Sequence, residues 1–154
     1  MTPAIRALRE HDVEYTEHVF DYQHHPGAKG AADAIGIDPH LTAKTIVFTT
    51  SEGEPVVVVM HGDCEVSTKS LARELSVKSV RPATVDEGRK WTGYEFGGTS
   101  PLGMRTRVEV LVQGSLVTLE RVYINAGSRG FLVGMDPEDL VRITEGRLVD
   151  VAAG

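Results

Sequence analysis

The chain has 154 residues, of which 41% are hydrophobic and 25% charged, and carries a net charge of minus 6. This composition excludes a disordered chain and a general coat for nucleic acid, so any contact with RNA has to be local and DNA is not an expected partner. The single cysteine, Cys64, rules out an internal disulfide, and the longest apolar run, Val56 to Met60, is far too short to span a membrane.

One domain over residues 1–151, with a frayed end at 152–154, is the expectation for this length, and the reducing chemistry points to the cytoplasm. Thr2 before Pro3 marks a helix start, with Ile5 and Leu8 on one stripe and an end near His11 and Asp12. Tyr15 to Tyr22 alternates loosely and reads as a strand. It leads into Tyr22, Gln23, His24, His25, Pro26 and Gly27, a turn rich in hydrogen-bonding side chains. Ala28, Ala31, Ala32 and Ile35 have helical spacing and stop at Gly36.

Lys44 to Thr49 and Val56 to Met60 form a predicted hairpin about a turn at Ser51 to Glu54. Because the second run is apolar without alternation, it belongs at the centre of a sheet covered on both faces. Leu71, Ala72 and Leu75 give the stripe of a further helix. Thr84 with Glu87 matches a capping box and opens a short helix from Val85 to about Trp91. Strands follow at Arg107 to Val112, Arg121 to Asn125 and Phe131 to Val133, with a glycine turn at Gly127 to Gly130. Asp136 and Pro137 start a last helix, and Arg147 to Val151 can close the sheet. The sum is a mixed α/β (α+β) domain of about seven strands and four or five helices.

Gly97, Gly98, Thr99, Ser100, Pro101, Leu102 and Gly103 place three glycines, a proline and two hydroxyls in seven residues. Such a loop is bent and held, and its N–H groups can converge on an anion or a developing oxyanion. An ordinary helix-to-strand connection has the same composition. Lys44 shares a strand face with Ile46 and Phe48, so it points inward at the strand entrance unless it snorkels past the edge. An inward lysine can serve as a fixed cation for a carbonyl, phosphate or carboxylate. His24 and His25 face opposite ways in extended chain and have no partner at zinc spacing, so neither a metal nor a cofactor is expected. Cys64 lies between Asp63 and Glu65, which disfavour a thiolate, and no nucleophile elbow, P-loop or dinucleotide fingerprint is present. The basic pairs Arg105 and Arg107, Lys69 and Arg73, and Lys78 and Arg81 read as solvated surface.

With Lys44, the GGTSPLG loop and the INAGSRG turn together, the chain resembles the YbaK type of aminoacyl-tRNA deacylase, relatives of the editing domain inserted in bacterial prolyl-tRNA synthetase. The likeness runs in order through the Thr2-Pro3 helix, Tyr22 to Pro26, Lys44-Thr45, Thr92-Gly93-Tyr94 and Tyr123 to Gly130. It implies a mixed sheet with a cleft and cleavage of the ester of a mischarged tRNA, most of all cysteine on proline tRNA. The partners it implies are aminoacyl-tRNA and, as a further candidate, prolyl-tRNA synthetase. Carried onto this chain, it makes Lys44 the essential lysine and Tyr22 a pocket residue. It places His24, Gly97, Gly98, Thr99, Ser100, Pro101, Gly103, Asn125 and Gly127 around the substrate. Three positions depart from the family pattern: Asn125 replaces serine, Leu132 replaces aspartate, and His25 replaces aspartate. The implied chemistry needs no strong protein nucleophile, because an aminoacyl ester is already activated. A module that binds charged tRNA without turnover, and a hydrolase of small acyl esters, are the competing readings.

Overall fold

The computed structural model describes residues 1–154. Helix α1 (Pro3–Glu10) starts where the Thr2 side chain accepts a hydrogen bond from the Ile5 N–H, and its buried face is Ala4, Ile5, Ala7 and Leu8. Strand β1 (Tyr15–Val19) is followed by α2 (Gly27–Ile35), which ends on Gly36 at φ +74°. Strands β2 (Thr42–Thr50) and β3 (Pro55–His61) form the expected hairpin, in register from Ala43 opposite His61 to Thr49 opposite Pro55. Then come α3 (Thr68–Leu75), β4 (Val80–Pro82), α4 (Val85–Thr92) and β5 (Glu109–Gln113). The chain finishes with β6 (Val122–Asn125), β7 (Phe131–Met135), α5 (Pro137–Thr144) and β8 (Arg147–Val149). Short 3₁₀ turns at Pro39–Leu41 and Gly114–Thr118 were not expected.

The sheet is mixed and has eight strands, in the order β1-β7-β6-β2-β3-β5-β8, with β4 also paired to β2. The sheet agrees with the expectation of about seven strands, and β4 is the one with no counterpart among the runs read from the sequence. Three residues with Pro82 at the end carry no usable alternation, so β4 exists because β2 offers it an edge. Central β3 is covered on both faces, as its unbroken apolar run requires. Val57 and Val59 enter the larger core with α1 residues and Leu140, while Val56, Val58 and Met60 enter a smaller one with Leu71 and Phe48.

Two boundaries move. β1 stops at Val19, because the Asp21 side chain accepts from the Gln23 N–H and turns the chain early. The end expected to fray is tied down instead: Ala152 bridges Val66, and the Ala153 N–H donates to Glu65 O at 2.8 Å.

One topological detail positions the site. With β3 filling one edge of β2, both β6 and β4 lie along the other: β6 pairs in parallel at Thr42 and Ala43, and β4 pairs at Phe48 to Thr50. Between them, Lys44 to Ile46 has no strand on that side. The sheet is split there.

Candidate functional site

The split opens into a cavity of about 280 Å³ lined by β2 residues Thr42 to Thr45 and by residues from five other segments. Small residues Ala28 and Ala31 of α2 leave the room, and Phe20 and Leu132 provide apolar wall. Tyr22, Tyr123 and Asn125 line it from the turn after β1 and from β6, and Phe96, Gly97 and Thr99 close it from the glycine loop. Lys44 is the one charged side chain among the lining residues, and no serine, thiol, imidazole or carboxylate accompanies it. Its side chain is 25% exposed, with Nζ 3.3 Å from the exposed carboxylate of Glu65. Lys44 therefore keeps to the Ile46 and Phe48 side at the strand entrance, but it meets a cleft and a counter-charge rather than closed core.

The glycine loop divides between two jobs. Gly97 takes φ +87°, and a Cβ there would press on the Tyr22 hydroxyl at 2.6 Å. Its N–H and that of Thr99 have no partner within the protein, whereas the Gly98 N–H is already spent on Glu95 O at 2.9 Å. The rest of the loop is anchor. Ser100 is fully buried, its Oγ accepting from the Leu102 N–H, and Leu102 O accepts from the Tyr94 hydroxyl. Burial pushes the Tyr94 phenol up to about 12, so it stays a donor. Gly103 takes φ +65°, where a Cβ would collide with Pro3 O, and with Pro101 it faces a separate groove beside Arg107.

Of the residues expected around the substrate, Tyr22, Lys44, Gly97, Thr99 and Asn125 thus line one cavity. Gly98, Ser100, Pro101, Gly103 and Gly127 do not. A Cβ at Gly127 would collide with the Tyr94 ring and Thr2, and His24 stands exposed against Asp21. Asn125 ties the site together: its Nδ2 donates to Gly97 O at 3.2 Å and its Oδ1 accepts from the Gly127 N–H at 2.8 Å. Arg129 holds the other side of the loop, with Nε donating to Phe96 O at 2.8 Å and its guanidinium 5.4 Å from the centre of the Tyr22 ring. Thr45 Oγ1 is buried without a hydrogen-bond partner. Phe20, Ala28, Ala31 and Phe96 were missed in sequence, because lone apolar residues in unrelated segments carry no signal of convergence.

A second cluster sits nearby. His40 Nδ1, a carboxylate oxygen of Asp63 and Cys64 Sγ lie within 4.8 Å of one another, donors that metals accept, and the His40 ring stacks on buried His61 at 3.8 Å. Burial works to raise Asp63, but the His40 hydrogen bond and charge outweigh it and leave the carboxyl below its usual value. Burial and then the Asp63 charge push the Cys64 thiol up, away from thiolate.

Residues 24–143 match the aminoacyl-tRNA editing domain. The chain belongs to that family. The editing domain is 29% identical over 151 residues, 97% of this chain and 92% of the relative, to EbsC of Enterococcus faecalis, provisionally named a Cys-tRNA(Pro)/Cys-tRNA(Cys) deacylase. It is 27% identical over 159 residues to a proline–tRNA ligase of Streptococcus thermophilus, spanning 96% of this chain but only 24% of the ligase. A solved protein provisionally described as a trans-editing enzyme for prolyl-tRNA synthetase superposes with a TM-score of 0.86 at 23% identity, over 100% of this chain and 99% of its own. A second, known only as a hypothetical protein, gives 0.89 at 22%, over 98% and 99%. These two likenesses establish the fold. No helix is long and apolar enough to cross a membrane.

Proposed function

We propose that this editing domain is a trans-acting aminoacyl-tRNA deacylase whose preferred substrate is cysteine esterified to proline tRNA, acting in the cytoplasm. The observation that carries the reading is a cavity with one cation, free backbone N–H groups and no protein nucleophile or base. That set suits an ester that needs placement and charge stabilisation more than attack by a side chain. The name of the Enterococcus relative supports the substrate.

The Lys44 ammonium and the Gly97 and Thr99 N–H groups stabilise negative charge on the ester carbonyl oxygen. The cysteinyl sulfur attacks the carbonyl carbon, the bond to the ribose oxygen breaks, and the thiol proton passes to that oxygen. The products are a cyclic thiolactone and tRNA with a free terminal hydroxyl. Where the amino acid lacks a thiol, water takes the place of sulfur and the free amino acid leaves.

The test is deacylation of proline tRNA charged separately with cysteine, alanine or proline. Lysine-dependent loss of the cysteine ester, with the proline ester spared, is expected. Lys44→Ala should lower kcat about 10²- to 10³-fold, the usual cost of removing one electrostatic contact to the transition state. Its unfolding should barely change, since the partner Glu65 is 82% exposed and an exposed pair contributes about 0–1 kcal/mol. Binding of charged tRNA without turnover would instead make the protein a binding module.

A further inference from the structure

Outside the cavity, the one group of three metal-binding donors is His40, Asp63 and Cys64. His40 lies in the 3₁₀ turn before β2 and the other two in the turn after β3, brought together because Ala43 pairs with His61 across the hairpin. His40 Nδ1 is 2.9 Å from Asp63 Oδ1 and 3.2 Å from Oδ2, and Cys64 Sγ is 3.5 Å from Oδ1. Zinc bonds of about 2.0–2.3 Å in a tetrahedron put such donors about 3.3–3.6 Å apart, so closing on one ion needs shifts of about an ångström. The donors are also held from behind. Asp38 Oδ1 accepts from the His40 N–H at 2.9 Å, and His40 O accepts from His61 Nδ1 at 2.8 Å. The His61 ring is buried, is bonded through Nε2 to Ser115 Oγ, and stacks on the His40 ring at 3.8 Å and 4°. The Cys64 N–H donates to His61 O at 3.1 Å and closes the turn that carries Asp63. One buried histidine thus fixes both His40 and the Asp63–Cys64 turn, while the side chains of His40 and Asp63 stay 45% and 37% exposed.

We propose that His40 Nδ1, an Asp63 carboxylate oxygen and Cys64 Sγ bind one zinc ion, with water in the fourth position. An imidazole, a thiolate and a carboxylate together favour zinc over magnesium or calcium, which take sets of oxygen ligands. Binding breaks the Cys64 S–H bond, forms a Zn–S bond and releases the thiol proton to solvent. His40 then carries its proton on Nε2, so that Nδ1 presents its lone pair. Burial and Asp63 hold the metal-free thiol protonated, and a coordinating dication overcomes that outright. The ion staples the turn before β2 to the turn after β3, which already meet where the Gly62 N–H donates to Thr42 O at 2.9 Å. Thr42 to Thr45 line the cavity, and Glu65, the partner of Lys44, follows Cys64 directly, so the staple pins the strand entrance that carries the lysine. This role is structural and stands whether or not the cavity cleaves an ester.

The experiment titrates the reduced, chelator-treated protein with Zn(II) by calorimetry and with Co(II) as a spectroscopic probe. One zinc per chain should bind with a Kd of about 1 μM or tighter, and an excess of magnesium should not compete. Zinc at about a hundredfold above Kd should raise Tm by about 5–10 °C. Co(II) should give a thiolate-to-metal charge-transfer band in the near ultraviolet, which only Cys64 can supply because the chain has one cysteine. Cys64→Ser should abolish the band. His40→Ala and Asp63→Asn should weaken zinc about tenfold or more, with the metal-free Tm as the check on folding. His24→Ala should leave zinc affinity unchanged, since His24 and Asp21 form a surface pair with no third donor. Absence of the cobalt band overturns the assignment. So does zinc affinity that survives both Cys64→Ser and His40→Ala, zinc affinity lost in His24→Ala, or a Tm that saturating zinc does not move.

Discussion

Asn125 offers the sharpest test of how the glycine loop is held, because its two ends do separable work. Oδ1 accepts from the Gly127 N–H two residues on, a local turn contact, while Nδ2 reaches across to Gly97 O. Asn125→Ala removes both. At about 1 kcal/mol net per bond the loss is about 2 kcal/mol, which for a chain of this length lowers Tm by about 4–8 °C. Serine is short but can still cap Gly127 through its hydroxyl, and it cannot reach Gly97. Asn125→Ser should therefore lose about half as much stability, about 2–4 °C, yet release the loop as fully as alanine does. Both variants should then show the same fall in kcat, about tenfold to a hundredfold, since displacement of the Gly97 and Thr99 N–H groups by an ångström is costly. Thermal unfolding by circular dichroism and single-turnover deacylation read the two effects. Wild-type kcat in Asn125→Ser would refute the tie, as would equal Tm values for the serine and alanine variants.

Leu102→Ala should be the more damaging change to the same loop, because the side chain is fully buried in the main core. A loss of about 2–5 kcal/mol in urea unfolding is expected, with an unchanged m value, and a loss below about 1 kcal/mol would mean the loop is not anchored there. Glu87 gives a pH prediction. The Arg81 hydrogen bonds, at 2.7 and 3.0 Å, and the Thr84 N–H hold its carboxyl at about 2, below the ordinary 4.5. A depressed carboxylate stabilises the fold above its unfolded value and loses that contribution as pH falls to its folded value. Wild type should therefore be more stable than Glu87→Gln at neutral pH, with the gap closing between about pH 4.5 and 2. A gap independent of pH would remove Glu87 from the acid response.

What the sequence made legible was local. The caps at Thr2, Thr84 with Glu87, and Asp136 before Pro137 all sit at helix starts in the structure, because a cap is a contact between near neighbours. The β2–β3 hairpin and buried β3 were equally visible, since a continuous valine run has few other places to go. The direction of the glycine loop was not. Composition says that the chain bends, and only packing decides that a Cβ at Gly97 would meet Tyr22 while one at Gly103 would meet Pro3. The His40, Asp63 and Cys64 cluster escaped for a related reason: the 3₁₀ turn and the end of β3 are brought together by hairpin register, which no ligand spacing encodes. Leu132 was read as a departure from the family, and the structure places it 5% exposed in the cavity wall.

The position of Lys44 follows from the split sheet more than from the lysine itself. A strand inside a sheet normally has both edges paired, and a charge entering its core face would have to be desolvated. Here β6 leaves β2 after Ala43 and β4 arrives only at Phe48, so the residue in the first unpaired position is also the first that water and substrate can reach. That sets the side chain beside an apolar wall, with Glu65 outside as an exposed and replaceable partner. On the deacylase reading proposed above, an ester carbonyl in the gap would displace little and would compete for Lys44 only against an exposed carboxylate. Thr45, next along the gap, lines this cavity and a second one, and Phe96 and Thr99 line both as well.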